Sequence, residues 1–231
     1  MKPSRQSGAT KAPGSRRAAQ KPMSTQLSAR SPACDVAVLD RRLAAINELE
    51  DRLQEITRAI TGRLTFSTSL GLEDQAIVHA IATSGVGIDV FTLDTGRHFP
   101  ETLETLDESQ RRYGLNIRVV APDALEIEAL VARDGINGFR LAVENRKACC
   151  EVRKVRPLKR ALSGAQGWVT GLRRSQSIER TETPFAAWDA EHGLIKVNPI
   201  ADWSLKQLEA YVAANNVPIN PLHSKGYPST E

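Results

Sequence analysis

The chain has 231 residues, with 31 Lys and Arg against 27 Asp and Glu and a formal net charge of +4, enough for one sizeable domain or a domain with a tail. Residues 1–34 hold seven basic residues and no acidic one, which leaves 24 basic against 27 acidic residues, a net −3, in residues 35–231. The basic surplus thus belongs to the tail, which argues against a nucleic-acid-binding body, and no segment approaches the roughly 18 apolar residues of a membrane span.

Residues 1–34 have too little apolar content to bury anything, which predicts a disordered tail ahead of a domain over 35–231. The tail lacks the apolar core of a secretory signal. Its Arg and Ser also suit an organellar transit peptide, and Met23 is an alternative start for a cytoplasmic protein. Three cysteines, two of them adjacent, cannot build a disulfide framework, which predicts a reducing, cytoplasmic setting.

In chain order, Leu39, Leu43, Ile46, Leu49, Leu53 and Ile56 form one apolar stripe, which predicts an entry helix from Val36 to Ile60. A β-rich run from Leu64 to Ser69 then stops at Leu70-Gly71 before a helical pattern over Ala76–Ala82, read as strand, loop and helix. The alternation continues with a strand at Ile88–Leu93, a helix after Pro100, a strand at Ile117–Val120 and a helix around Leu125–Ala132. A helix holding Pro157, Leu158 and Leu162, a short strand at Trp168–Gly171 and a late helix at Leu205–Ala214 complete it. Such alternation predicts an α/β fold, a mainly parallel sheet with helices on both faces. The loops after Ser69, Leu93 and Gly171 are then expected to converge at the carboxyl edge, where such sheets bind ligands.

Four segments carry chemistry. In Ser67-Thr-Ser-Leu-Gly-Leu-Glu-Asp74 a strand hands over to a helix through hydroxyl side chains and a glycine. That is either an anion cradle for phosphate or sulfate or a turn capped by Ser69 and Glu73. It is not a Walker loop, because no Gly-Lys-Ser follows. In Leu93-Asp-Thr-Gly-Arg-His-Phe-Pro-Glu101, Gly96 permits an unusual turn on which a base or ribose could lie, and His98 reads as a hydrogen-bonded loop residue. Thr170-Gly-Leu-Arg-Arg-Ser-Gln-Ser177, with Arg180 beyond it, offers guanidinium forks to sulfate or phosphate oxygens, or else is a solvated charge run.

The fourth is Lys147-Ala-Cys-Cys-Glu-Val-Arg-Lys154. Adjacent Cα atoms lie about 3.8 Å apart, short of the roughly 4.4–6.8 Å of a disulfide. Cys149 and Cys150 are therefore either soft-metal ligands, favoured as thiolates by the surrounding cations, or two unreactive thiols at a helix start. Lys154, four residues beyond Cys150, is placed to share its helical face.

Together these segments, with Pro157-Leu-Lys-Arg160 and Asn220-Pro-Leu-His-Ser-Lys-Gly-Tyr-Pro228, resemble the adenosine 5′-phosphosulfate (APS) and 3′-phosphoadenosine 5′-phosphosulfate (PAPS) reductase family of assimilatory sulfate reduction. The likeness runs from Leu64 to Tyr227. It implies an adenine nucleotide α-hydrolase-like fold and thiol-dependent reduction of APS to sulfite and AMP, with thioredoxin or a similar thiol as partner. The double cysteine resembles the APS branch carrying a 4Fe-4S cluster, with Cys149 and Cys150 as two ligands. By the same likeness Ser67, Thr68, Ser69, Gly71, Leu72, Glu73 and Asp74 grip the phosphosulfate. Leu93 and Gly96 touch adenosine, Arg173, Arg174 and Arg180 neutralise substrate oxygens, and Lys154 lies between cluster and substrate.

Family members supply two further cluster cysteines from a Cys-x-x-Cys after a Gly-Tyr-(Pro or Ile)-Ser segment, and a nucleophilic cysteine from a Glu-Cys-Gly-Leu-His motif. This sequence reads Gly226-Tyr-Pro-Ser-Thr-Glu231 at that point, and the expectation is a product truncated or altered at its carboxyl end. The alternatives are a PAPS reductase and a nucleotide-binding remnant without turnover. An ATP pyrophosphatase ranks below them, since its loop usually reads Ser-Gly-Gly-x-Asp-Ser.

Overall fold

The computed structural model describes residues 35–177 and 180–227. The expected tail, with Cys34, and the final four residues lie outside the described residues. Those described form one six-stranded sheet of β1 (Leu64–Thr68), β2 (Ile88–Leu93), β3 (Arg118–Val120), β4 (Gly167–Val169), β5 (Ala186–Asp189) and β6 (Leu194–Val197). The order is β3-β2-β1-β4-β6-β5, parallel throughout except for β5, which runs antiparallel to β6. From β1 the chain winds outward to β2 and β3, then returns to the other side of β1 with β4. That reversal opens a crevice beyond the carboxyl ends of β1 and β4.

Strand alternation sends successive side chains to opposite faces. Val90, Val169, Ile195 and Val197 join the larger core, while Phe91, Trp168 and Leu194 join the smaller one. On the larger side α3 (Leu72–Ser84) packs on α2 (Leu49–Ala59), α4 (Pro100–Tyr113) and α8 (Leu205–Ala214). On the other, α7 (Arg156–Leu162) covers β2 and β3. α5 (Ala124–Asp134) and α6 (Val143–Cys150) complete that edge.

The entry segment is two helices rather than one. α1 (Val36–Ala44) ends where Ala45 and Ile46 donate back to Arg42 and Leu43 in tightened bonds, and α2 restarts after Glu48. The break is held by Arg52, whose Nε donates 2.7 Å to the Ile46 carbonyl. Leu39, Leu43, Leu49, Leu53 and Ile56 are nevertheless all buried, because their spacing serves both pieces. The β5–β6 hairpin has no counterpart in the expected elements. Its four-residue strands are too short to show a period, and its turn is organised by Asp189, whose Oδ1 accepts from the amides of Glu191 and His192.

The cysteine pair ends a helix rather than starting one. α6 runs through a π-turn at Glu151–Val155 directly into α7, with the Arg156 amide donating to the Glu151 carbonyl five residues back. Pro157 supplies the reason: it has no N–H for the carbonyl four residues earlier and its ring crowds that group, so the ladder widens by one residue. Cys150 closes α6 just before this turn and Lys154 lies within it.

Candidate active site

A cavity of about 370 Å³ opens at the β1/β4 crevice; the loops after β1 and β4 reach it, and from β2 only its last residue, Leu93, does. One wall is the β1–α3 loop. Leu70 sits there at φ +61° with its side chain 1% exposed, a left-handed conformation unusual for a bulky residue. Its amide donates 3.0 Å to Thr68 Oγ1. Gly71, not Ser69, is the N-cap of α3, and no side chain caps that end. The helix start therefore keeps N–H groups and a positive dipole end at the cavity.

Ser69 serves the loop differently. Its amide and hydroxyl donate to Asp74 Oδ2 at 2.6 and 2.7 Å. Burial pushes the Asp74 carboxyl up to about 6, against the pull of the Ser69 hydrogen bonds. Gly171 is required opposite: a Cβ there would stand 2.2 Å from Asp74 Oδ1. α3 and the β4 exit loop meet through that missing side chain.

Glu73 accepts from Arg173 Nη2 at 2.6 Å, Arg173 Nε at 3.1 Å and Gln176 Nε2 at 2.9 Å. Burial works to raise its pKa, but these hydrogen bonds outweigh it and the carboxyl sits below its ordinary value. Arg173, 5% exposed, also donates to Ser175 Oγ and the Trp203 carbonyl. Arg174 donates to the Thr183 carbonyl and stacks on Phe185. Neither arginine lines the cavity. The cations on its wall are Arg180, hydrogen-bonded to Gln176 Oε1, and Lys196.

Of the other expected residues, Ser67, Thr68, Ser69, Glu73, Asp74 and Leu93 line the cavity. Leu72 packs against the main core. Gly96, at φ +66°, does not line the cavity, and a Cβ there would stand 3.1 Å from Arg153 Nη1. Arg153 is buried and donates 2.7 Å to the Thr95 carbonyl, tying the β2–α4 loop to the π-turn. His98 hydrogen-bonds the Leu93 carbonyl. Lys154 is outside the lining set. Thr170 and Gln176 of the Thr170–Ser177 segment and Leu158 of Pro157–Arg160 also line the cavity, though no individual role was expected of them, and Trp168 and Lys196 line it outside any expected motif. Lys196 did carry a signal, as the one charge inside the apolar run Leu194-Ile-Lys-Val197.

Cys149 is half-buried against a void of about 10 Å³ shared with Arg97, Asn145 and Arg153, and Cys150 is exposed. A 4Fe-4S cluster takes four thiolates. Among the described residues there are two, and no three His, Cys, Asp or Glu are grouped to hold a metal. The described donors therefore do not make up that ligand set. No described helix is long and apolar enough to cross a membrane.

A mainly parallel sheet with a cavity lined by hydroxyls and cations at its switch point is an α/β fold of the adenine nucleotide α-hydrolase-like type, and an FMN adenylyltransferase of Candida glabrata shares this fold at TM-score 0.52 and 13% identity, over 89% of this chain and 67% of that one. Residues 63–230 match the phosphoadenosine phosphosulfate reductase domain. The chain belongs to that family. It is 50% identical over 203 residues to the adenosine 5′-phosphosulfate reductase of Agrobacterium fabrum, spanning 88% of this chain and 77% of that protein. Among solved structures it is similar to the PAPS reductase of Candida auris in its phosphate complex, at TM-score 0.73 and 25% identity, covering 85% of this chain and 93% of that one.

Proposed function

We propose that the cavity binds adenosine 5′-phosphosulfate and that the protein serves its thiol-dependent reduction to sulfite and AMP in the cytoplasm, with thioredoxin or a similar dithiol as donor. The observation that carries this reading is the cavity's polarity. Hydroxyl donors and the start of α3 face it from one side and two cations, Arg180 and Lys196, line it as well, while Leu93 and Leu158 offer apolar surface. Such a lining suits a nucleoside carrying a mixed anhydride of two acids.

The chemistry is sulfonyl transfer. A thiolate attacks the sulfonate sulfur, the sulfur–oxygen bond to phosphate breaks, and its electron pair leaves with AMP; a second thiol then attacks the S-sulfocysteine, forming a disulfide and releasing sulfite. Donors aimed at the departing phosphate lower the barrier because negative charge grows there. The described residues supply that side of the reaction: they hold the anhydride and the nucleoside, and no thiol is on the described wall.

Calorimetric titration with APS, AMP and adenosine tests the binding, and sulfite release from APS and PAPS with a reduced dithiol tests the turnover. APS and AMP are expected to bind at least tenfold tighter than adenosine, and Arg180→Ala to weaken both about tenfold or more, the scale of one charge-assisted hydrogen bond. Absence of nucleotide binding at millimolar concentration, or preference for PAPS, would overturn the reading.

A further inference from the structure

Lys196 and Trp168 are register partners on the parallel strands β6 and β4. Both point to the face of the smaller core, between residues that point away to the larger one. The Lys196 ammonium lies 4.6 Å from the centroid of the Trp168 ring, within the range of a cation–π contact. Among the described residues no carboxylate forms a salt bridge with it. Asp189 is occupied by the hairpin amides and the His192 ring. Burial holds Lys196 below its ordinary pKa against the attraction of Asp189 and Glu191, with Arg180 adding to the lowering, a cost that an arriving anion would relieve.

Trp168 also governs a second donor. Its indole N–H donates 2.9 Å to Ser67 Oγ. The hydroxyl, having accepted that bond, keeps its own proton to donate, and Ser67 lines the cavity. The His192 ring packs edge-on against the indole at 5.4 Å, so the tryptophan is held from the hairpin side as well.

We propose that Lys196 binds the anionic group of the ligand directly, and that Trp168 is the positioning residue that aims both Lys196 and the Ser67 hydroxyl at it. The assignment rests on the function proposed above and identifies the phosphate of the departing AMP as the group contacted. When the sulfur–oxygen bond breaks, the electron pair remains on that phosphate, and a fixed ammonium with a fixed hydroxyl stabilises it more as the charge grows.

The test is calorimetric titration of the full chain with AMP, APS and adenosine, for the parent and for Lys196→Met, Lys196→Arg and Trp168→Phe, with circular dichroism and thermal melts reporting folding. Lys196→Met is expected to weaken AMP and APS about 10- to 100-fold, the range for a hydrogen bond to a charged group, with adenosine unchanged within about twofold. Lys196→Arg keeps the cation and is expected to recover most of the loss. Trp168→Phe keeps a ring but loses the N–H, and is expected to lower the AMP-to-adenosine affinity ratio several-fold, a ratio that a change in stability alone does not move. Parent-like AMP affinity in Lys196→Met overturns the assignment while leaving the proposed function standing. If Lys196→Met does not fold, an unchanged AMP-to-adenosine ratio in Trp168→Phe overturns it equally. A parent chain that binds neither AMP nor APS removes the proposed function and the assignment together.

Discussion

Arg173 follows the glycine of the β4 exit loop, where a fork for substrate oxygens was expected, yet its guanidinium turns inward to Glu73. A buried arginine needs its charge matched, and a carboxylate at 2.6 Å does this continuously, whereas a ligand does so only when bound. The pair fastens the start of α3 to the β4 loop and leaves the open side to Arg180 and Lys196. Asp74 sits in the same junction. Its folded pKa of about 6 lies above the ordinary 3.8, so between those values the unfolded chain has shed a proton that the folded chain retains. Stability therefore falls as pH rises from about 4 to 6, by on the order of 3 kcal/mol. Asp74→Asn keeps an acceptor for Ser69 and removes this slope. Urea denaturation at pH 4 and pH 7.5 should show the variant gaining on the parent by that order; a constant difference would refute the account.

At the scale of elements, the π-turn decides what the cysteine helix can touch. The extra residue at Glu151–Val155 comes with a buried Arg153 that reaches the Thr95 carbonyl. The β2–α4 loop is thereby anchored to the helical run that carries Cys149 and Cys150. Replacing Arg153 with Met strips a buried carbonyl of a charged donor, a loss of about 2 kcal/mol. Hydrogen exchange is the direct measurement: amides of residues 94–98 are expected to exchange faster in Arg153→Met, with those of α3 unchanged. Equal protection of residues 94–98 in parent and variant would show that the anchor is ornamental. Pro157 makes this irregularity legible in principle, since a proline inside a helical pattern must disturb the ladder. What it cannot announce is whether the helix breaks, kinks or widens, because that depends on what packs against it.

For the molecule as a whole, Arg52 is the fastening between the entry helices and the far end of the sheet. Its side chain is fully buried. It donates to both oxygens of Asp202 at 2.7 and 2.8 Å, to the Pro199 carbonyl at 2.7 Å and to the Ile46 carbonyl at 2.7 Å. It also stacks on Phe185, the ring that Arg174 stacks on. The helices of the amino-terminal part thus hold the segment that follows β6 and, through Phe185, the approach to β5. Arg52→Met leaves two carbonyls and the exposed Asp202 without their donor and is expected to cost about 2–3 kcal/mol, read as a lower denaturation midpoint. A shift below about 1 kcal/mol would mean that the network relaxes around the loss.

Strands β1 to β4, the helices after the first three of them and the edge of the sheet where the loops gather followed from apolar period and turn residues, because those patterns are local: a residue's neighbours within four positions settle which face it buries. The cavity-lining residues of Ser67–Asp74, together with Leu93, fall at or just beyond strand ends that the same local pattern marks. Which charge meets which was not legible. Glu73 pairs across 100 residues with Arg173, Trp168 across 101 with Ser67, and Arg52 across 150 with Asp202. A sequence of many interchangeable arginines and carboxylates does not say which of them the fold brings within hydrogen-bonding reach, and in a medium where an unpaired buried charge is so costly, that proximity alone decides which side chains are consumed by the fold and which are left for a ligand.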